Sequence, residues 1–436
     1  MNKIVNGISK IAEKLGNQIH LLALRDSFAS IMPFMIMAGF VTLINWVLLD
    51  PFSGPLVAFV DNDLLATLQQ VLMPVGNATL GIMTILIVIT IAIQLSKYKQ
   101  FDNTVAAVLT AVSAFFVLTP SVIEFLPEGA SIAFNIGGIG SGYLGASGMF
   151  VGIVVGLLAT DLLIRFSSIK KFQIKIDGQI PGSVIQSFNV LIPIILTVSL
   201  FSVANFALAQ FLNMTFSEVI STIITTPLSY VTTGLFGFVL ITSIANLFFG
   251  FGIHQAVISA SLLDPFLLQN MSENMTAYAN NTEIPHIINM AFKDTFAVMG
   301  GSGNTIALLI AIFLFGKRQD YKDIAKLSTT PAVFNISEPI IFGLPIVFNI
   351  SLIIPFVLAP IFSLVVAYYA TFFGFISPVV VQKPWSTPPL LSAFLATAGD
   401  WRAVVLQALI IVGCVFIYLP ILRVDEKVNE KLNNSQ

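Results

Sequence analysis

Charge is scarce in this chain. Only 10% of its 436 residues are Asp, Glu, Lys or Arg, against about 25% in an ordinary soluble protein. So few charges cannot cover a water-soluble fold, because large exposed apolar patches associate. The shortage excludes a soluble globular enzyme, a nucleic-acid binder and a disordered chain. The net charge of −2 argues against a polyanionic partner. Cysteine is almost absent: Cys414 stands alone, so no disulfide can form within the chain. Three histidines and one cysteine offer no metal cluster. There is no Walker-type lysine loop and no defensible serine–histidine–acid order, so no cofactor is expected.

What is abundant is apolar surface, at 56% of residues. A bilayer span needs about 20 mostly apolar residues, and charge-free runs of that size recur along the chain. They predict an all-α integral membrane protein of about ten transmembrane helices, with re-entrant hairpins and amphipathic helices besides. The spans are expected near 28–49, 67–95, 103–123, 142–164, 186–212, 219–247, 250–268, 295–316, 349–372 and 403–422. The first 25 residues are no signal peptide, because Lys3, Lys10, Glu13 and Lys14 interrupt them. Ile4, Ile8, Ile11 and Leu15 share one helical face instead, which suits a helix lying on the membrane or a solvated amphipathic helix.

Basic residues fill 3–25, 97–99, 165–175, 317–326 and 423–431, whereas 50–63, 124–128 and 264–283 carry acidic residues and no Lys or Arg. The positive-inside rule places the basic set in the cytoplasm. Both termini are then cytoplasmic and the span count is even. The polar stretch from Lys170 to Gly178, followed by Pro181, divides the chain. This gives an N-terminal helical bundle at 1–177, a C-terminal domain at 178–423 and a polar tail at 424–436.

Polar residues at membrane depth are costly and usually face a cavity or a partner. His254 follows two glycines in Phe249-Gly250-Phe251-Gly252-Ile253-His254-Gln255; broken backbone there lines a cavity or is buried in protein. Its imidazole can serve a sugar hydroxyl or be a packed histidine satisfied by a carbonyl. Glu338, in Asn335-Ile336-Ser337-Glu338-Pro339, is the only acidic residue between Asp323 and Asp400. Pro339 breaks helical bonding, as at a re-entrant hairpin tip. The alternative is a carboxylate at an interfacial helix start. Lys383-Pro384-Trp385-Ser386-Thr387-Pro388-Pro389 is too proline-dense for a regular helix, and its tryptophan suits either a sugar face or the interfacial belt. Gly300-Gly301-Ser302-Gly303 suits either a ligand-facing backbone or close helix packing, and Gly137 to Gly145 reads as packing. Asp161 and Arg165, four apart, are expected to pair locally. Cys414 reads as an inert core thiol.

Four blocks together resemble a known family. Phe251-Gly252-Ile253-His254, Gly300-Gly301-Ser302-Gly303, Asn335 through Gly343 and Pro384-Trp385-Ser386-Thr387-Pro388-Pro389 look like the membrane (IIC) component of bacterial phosphotransferase systems. The lactose/cellobiose/diacetylchitobiose permeases are the group resembled. Ala23 to Phe28 with Met32-Pro33, and Ala398 to Arg402, fit the same pattern. One departure is visible: Leu247-Phe248-Phe249 and Gln255 stand where the family pattern leads one to expect a tryptophan and a glycine.

The resemblance implies a homodimer joined through its N-terminal spans, with a sugar site in the C-terminal half. It implies that a β-linked disaccharide is carried across the cell membrane and phosphorylated on its 6-hydroxyl by a phosphocysteine on a separate cytoplasmic IIB subunit. By the same match, Glu338 and His254 are the catalytic candidates. The substrate-binding set is His254, Gln255, Asn335, Ser337, Glu338, Trp385, Ser386, Thr387, Gly301 and Gly303. No cysteine-bearing soluble domain is evident, so the phosphoryl donor is expected on another chain, and the basic loops 165–175 and 317–326 offer it a docking face. An ion-coupled sugar transporter, with Glu338 as coupling carboxylate, and a sugar-binding receptor are the other classes that the composition allows.

Overall fold

The computed structural model describes residues 18–50, 55–125, 134–145, 148–174, 188–252, 254–255, 258–259, 262–344, 346–347 and 349–433. The expected amphipathic helix through Ile4 and Leu15 and the divide at Gly178 and Pro181 lie outside them.

Among the described residues, six helices are long and apolar enough to cross a bilayer. They are α1 (Ile19–Leu43, continued to Leu48 by a π turn), α2 with α3 (Asn62–Asn77 and Met83–Tyr98), α5 (Met149–Ser167), α6 (Leu191–Leu212), α14 (Ile350–Phe372) and α16 (Trp401–Asn433). A pair bent by 76°, α7 (Phe216–Thr232) and α8 (Leu235–Gly250), makes a seventh if read as one broken span. Shorter apolar helices are α4 (Thr104–Leu118) and α11 (Thr305–Phe315). The amphipathic or short helices are α9 (Asp264–Ala279), α10 (Met290–Phe296), α12 (Gln319–Val333), α13 (Glu338–Gly343) and α15 (Leu391–Ala396).

The all-helical membrane architecture is as expected. Two spans are corrected: 295–316 is broken between α10, which ends at Phe296, and α11, which begins at Thr305, and 250–268 is not a single helix, since α8 ends at Gly250, Phe251 and Gly252 turn, and α9 begins at Asp264. Glycine at 252 takes φ +86°, which stops the helix there. The chain also adds an antiparallel hairpin, β1 (Val122–Phe125) paired with β2 (Phe134–Gly137).

Helix-rich segments solve the backbone problem of lipid by bonding internally. Polar side chains within them do the same. Ser27, Thr110, Thr197 and Thr371 each donate to the carbonyl four residues back, at 2.6, 2.7, 2.8 and 2.9 Å. Asn103 caps α4 by accepting from the Ala106 N–H, and Asn349 caps α14 by accepting from that of Ser351.

Packing resolves the described chain into two compact units. One holds Asn17–Met35 and Val75–Ser229; in it α5 packs on α3, α4 and α6, and α4 packs on α3 and α6. The other holds Ile36–Pro74 and the chain from Tyr230 onward, with α14 against α8 and α16, and α11 against α16. This division differs from the expected boundary at 177/178. The apolar helix α6 packs on α4 and α5, and so belongs with the first bundle.

In the first unit Asp161 does not pair with Arg165 as expected. Its carboxylate meets His20 Nε2 at 2.8 Å and the Lys99 ammonium. Asp161 faces into the bundle, toward α1 and α3, whereas Arg165 is exposed at the helix end.

Candidate functional site

The site assembles within the second unit from four loops. α8 delivers the first. After its turn, His254 packs its ring 4.7 Å from that of Phe249, itself buried and edge-on to Phe356 of α14. Phe249 and Phe356 are 2% and 0% exposed, so a fixed aromatic wall backs the imidazole.

The second loop leads into α13. Asn335 takes a left-handed conformation, φ +62°, which asparagine tolerates better than most residues. Its side-chain Nδ2 donates to the carbonyls of Trp385 at 2.7 Å and Thr387 at 2.9 Å, and its Oδ1 accepts from the Gly300 N–H at 2.9 Å. Both amide hydrogens are therefore spent on the frame. Ser337 precedes α13, and its Oγ accepts from the Ser302 N–H at 3.2 Å. Glu338 then opens α13 with Pro339 behind it, at the position where a missing N–H costs nothing.

The third loop is the glycine run. Gly300, Gly301 and Gly303 all have positive φ. A Cβ on Gly301 would lie 2.5 Å from the Ser337 Cβ, and one on Gly303 would lie 2.2 Å from the Phe356 ring. The glycines are thus needed for close approach to the Asn335–Ser337 loop and the aromatic wall.

The fourth loop is an extended strap, 376–390, between α14 and α15. Five carbonyl bonds from side-chain amides hold it: Asn274 and Asn289 each donate to Val379 at 3.0 Å, Asn335 donates to Trp385 and Thr387, and Gln382 donates to Lys383 at 3.3 Å. Thr387 Oγ1 donates to the Pro384 carbonyl at 2.7 Å. At its end Leu390 adopts φ +71°, with its N–H bonded to Gln407 Oε1 at 2.5 Å.

The outcome is one focus. His254 Nε2 lies 3.5 Å from Glu338 Oε1, with the two side chains 48% and 46% exposed. A ligand can reach both, and catalytic bonds are often this long before substrate arrives. Trp385 is 52% exposed while its carbonyl is pinned. Ser386 is half-buried in the turn beside it. The Gln255 side chain is half-buried, and its carbonyl accepts from the N–H groups of Ile258 and Ser259. The site residues expected from sequence thus divide. His254, Glu338 and Trp385 present accessible groups, whereas Asn335, Ser337, Thr387, Gly301 and Gly303 are buried and build the frame.

Four buried polar residues stand outside the expected site set: Asp294, Thr295, Gln382 and Lys383, the last noted only as the start of its proline-rich block, are all at most 6% exposed. The signal was present, since Gln382-Lys383 follow three valines and Asp294 lies two residues from Phe292 and two from Phe296. Among the described residues no group of His, Cys, Asp and Glu could hold a metal ion.

The family model described as "Phosphotransferase system, EIIC" matches residues 25–360. The chain belongs to that family. The EIIC protein is the membrane component of a sugar phosphotransferase system and spans the membrane several times. Its family implies a sugar substrate and a separate IIB partner. Among its relatives is the oligo-beta-mannoside-specific EIIC component of Bacillus subtilis, 33% identical over 98% of this chain and 94% of that one. Another is the cellobiose-specific EIIC component of Geobacillus stearothermophilus, 30% identical over 96% and 93%. The solved structure of the transporter ChbC, the IIC component of an N,N'-diacetylchitobiose-specific system, covers 97% of this chain and 98% of its own, with a TM-score of 0.89 at 28% identity.

Proposed function

We propose that this EIIC protein carries a β-linked disaccharide of the cellobiose, diacetylchitobiose or lactose type, and that Glu338 and His254 act on its 6-hydroxyl. The observation that carries this is the accessible His254–Glu338 pair, 3.5 Å apart inside an otherwise buried frame. A sugar hydroxyl between them donates to the carboxylate and accepts from, or passes its proton to, the imidazole. The oxygen–phosphorus bond forms as the sulfur–phosphorus bond of a IIB phosphocysteine breaks. The thiolate leaves, and the hydroxyl proton stays on the Glu338–His254 pair.

Trp385, whose carbonyl is bonded to Asn335 and whose side chain is exposed, offers an apolar face to a sugar ring. Asn335, Ser337, Thr387, Gly301 and Gly303 are positioning residues, because their polar groups or their lack of a side chain build the loops. Gln255 and Ser386, half-buried next to His254 and Trp385, complete the sugar-facing rim. Both termini are cytoplasmic by the basic-residue pattern, and the N-terminal bundle supplies a homodimer contact.

The test is uptake in right-side-out membrane vesicles loaded with phosphoenolpyruvate and the soluble phosphotransferase proteins. Sugar phosphate should appear inside only with the full set, and Glu338→Gln should slow its appearance by about 10²-fold or more. Uptake of unmodified sugar driven by an ion gradient alone would overturn the reading.

A further inference from the structure

Four polar atoms lie buried without a hydrogen-bond partner where the strap passes α10. They are Lys383 Nζ and Gln382 Oε1 on the strap, and Asp294 Oδ2 and Thr295 Oγ1 on α10. Their residues are 2%, 1%, 6% and 0% exposed. The two segments are tied together: Asn289, which caps α10, donates to the Val379 carbonyl of the strap at 3.0 Å. Lys383 and Asp294 bear on each other electrostatically yet share no hydrogen bond. Asp264 is not available to Lys383, because Lys293 holds it at 2.5 Å.

An isolated buried ammonium and an isolated buried carboxylate oxygen are expensive unless something bonds them. Nζ can only donate and Oδ2 of an ionised carboxylate can only accept. A hydroxyl does both, so one O–H group set between them satisfies donor and acceptor together. Gln382 Oε1 accepts a second O–H, and the Thr295 hydroxyl can serve either way. Donors and acceptors in this mixture suit a polyol rather than an anion or an apolar ligand.

The place is right for the far part of a disaccharide. Lys383 is two residues before Trp385, at most about 7 Å along the strap. The Trp385 carbonyl is bonded to Asn335, which is three residues before Glu338, at most about 10 Å. We infer that Lys383, Asp294, Gln382 and Thr295 form a hydroxyl-reading subsite that grips the sugar away from the hydroxyl held at His254 and Glu338. The inference rests on the reading that this site takes a disaccharide, and it names the residues that set which disaccharide is accepted.

The experiment uses the full-length protein in detergent and measures the Kd of cellobiose, lactose and diacetylchitobiose, with monodeoxy analogues of the tightest. The principal variant is Asp294→Asn with Lys383→Met, which removes both charges and leaves neither one buried alone. Thr295→Val, nearly isosteric, is the second variant and leaves both charges in place. Wild type should lose about tenfold or more for at least one analogue lacking a hydroxyl other than the 6-hydroxyl. The double variant should bind the parent sugar about tenfold more weakly and no longer distinguish it from that analogue. Thr295→Val should blunt discrimination at one hydroxyl.

Wild-type affinity and undiminished analogue discrimination in Thr295→Val and in a folded double variant would overturn the subsite. The four atoms would then meet only water. A double variant that fails to fold leaves the decision to Thr295→Val. Glu338→Gln, run alongside, reports on the 6-hydroxyl alone. Its loss of 6-deoxy discrimination stands or falls separately, so failure of the subsite is told apart from failure of the disaccharide reading. A wild type that binds none of the three sugars removes both.

Discussion

The side-chain amide of Asn335 donates to the main-chain carbonyl of Trp385 across 2.7 Å. This bond joins the loop that carries Glu338 to the strap that carries the exposed indole. The same amide reaches Thr387, and its oxygen takes the Gly300 N–H. One buried side chain therefore sets the spacing of three loops.

Replacing Asn335 with Leu should loosen all three at once. It strands two carbonyls and one N–H, each worth about 1–3 kcal/mol when buried and unpaired, and puts a branched residue at φ +62°. We expect a fall in melting temperature measured by thermal shift, together with loss of sugar-induced stabilisation. An unchanged melting curve would remove Asn335 from the frame.

Glu338→Gln should separate chemistry from folding. The side chain is 46% exposed at the start of a helix, so the variant's melting temperature should match wild type. Loss of a base at the reacting hydroxyl should slow sugar phosphorylation by about 10²-fold or more, measured as sugar phosphate formed per minute with excess IIB. His254→Ala should slow it in the same assay, and the two changes together should cost less than their sum because they serve one proton.

Gly301→Ala tests the close approach. The new methyl meets the Ser337 Cβ at 2.5 Å, at a residue with φ +96°. Backbone strain alone is about 1–3 kcal/mol, and the clash pushes Glu338 from its place. Transport should fail while the protein still reaches the membrane, as read by uptake against immunoblotted expression. Gly142→Ala, which meets nothing within 4 Å, should transport normally.

Asp400 gives a pH signature. Burial works to raise its pKa, but hydrogen bonds from the Arg402 guanidinium and from the N–H groups of Ser377 and Arg402 outweigh it and hold it at about 2. A carboxyl depressed in the folded state adds stability that is complete above its unfolded pKa and is lost as pH falls through the folded one. Asp400→Asn should therefore lower the melting temperature at pH 7, and the gap from wild type should narrow between about pH 4 and pH 2. A gap that stays constant over that window would show that the charge contributes nothing.

The lipid solvent, the helical class and the breaks in the second half were legible in sequence. Hydropathy, proline and glycine act on the residues beside them, so Gly250-Phe251-Gly252 and Ser337-Glu338-Pro339 announce their turns locally. The Asn-Ile-Ser-Glu-Pro block likewise pointed to the family. Tertiary structure alone decided who meets whom. Asp161 turned from Arg165 to His20 and Lys99 because the packing of α1, α3 and α5 placed those partners inside the bundle. Asn335 became a clamp rather than an open donor because the strap brought it two carbonyls. Lys383 and Asp294 became a buried, unbonded pair because a distant strap passes α10. The sequence by itself determined where the chain must bend and which solvent it needs, since both follow from short-range chemistry. The meeting of His254 with Glu338 was decided by the packing of loops far apart along the chain, which no local preference encodes.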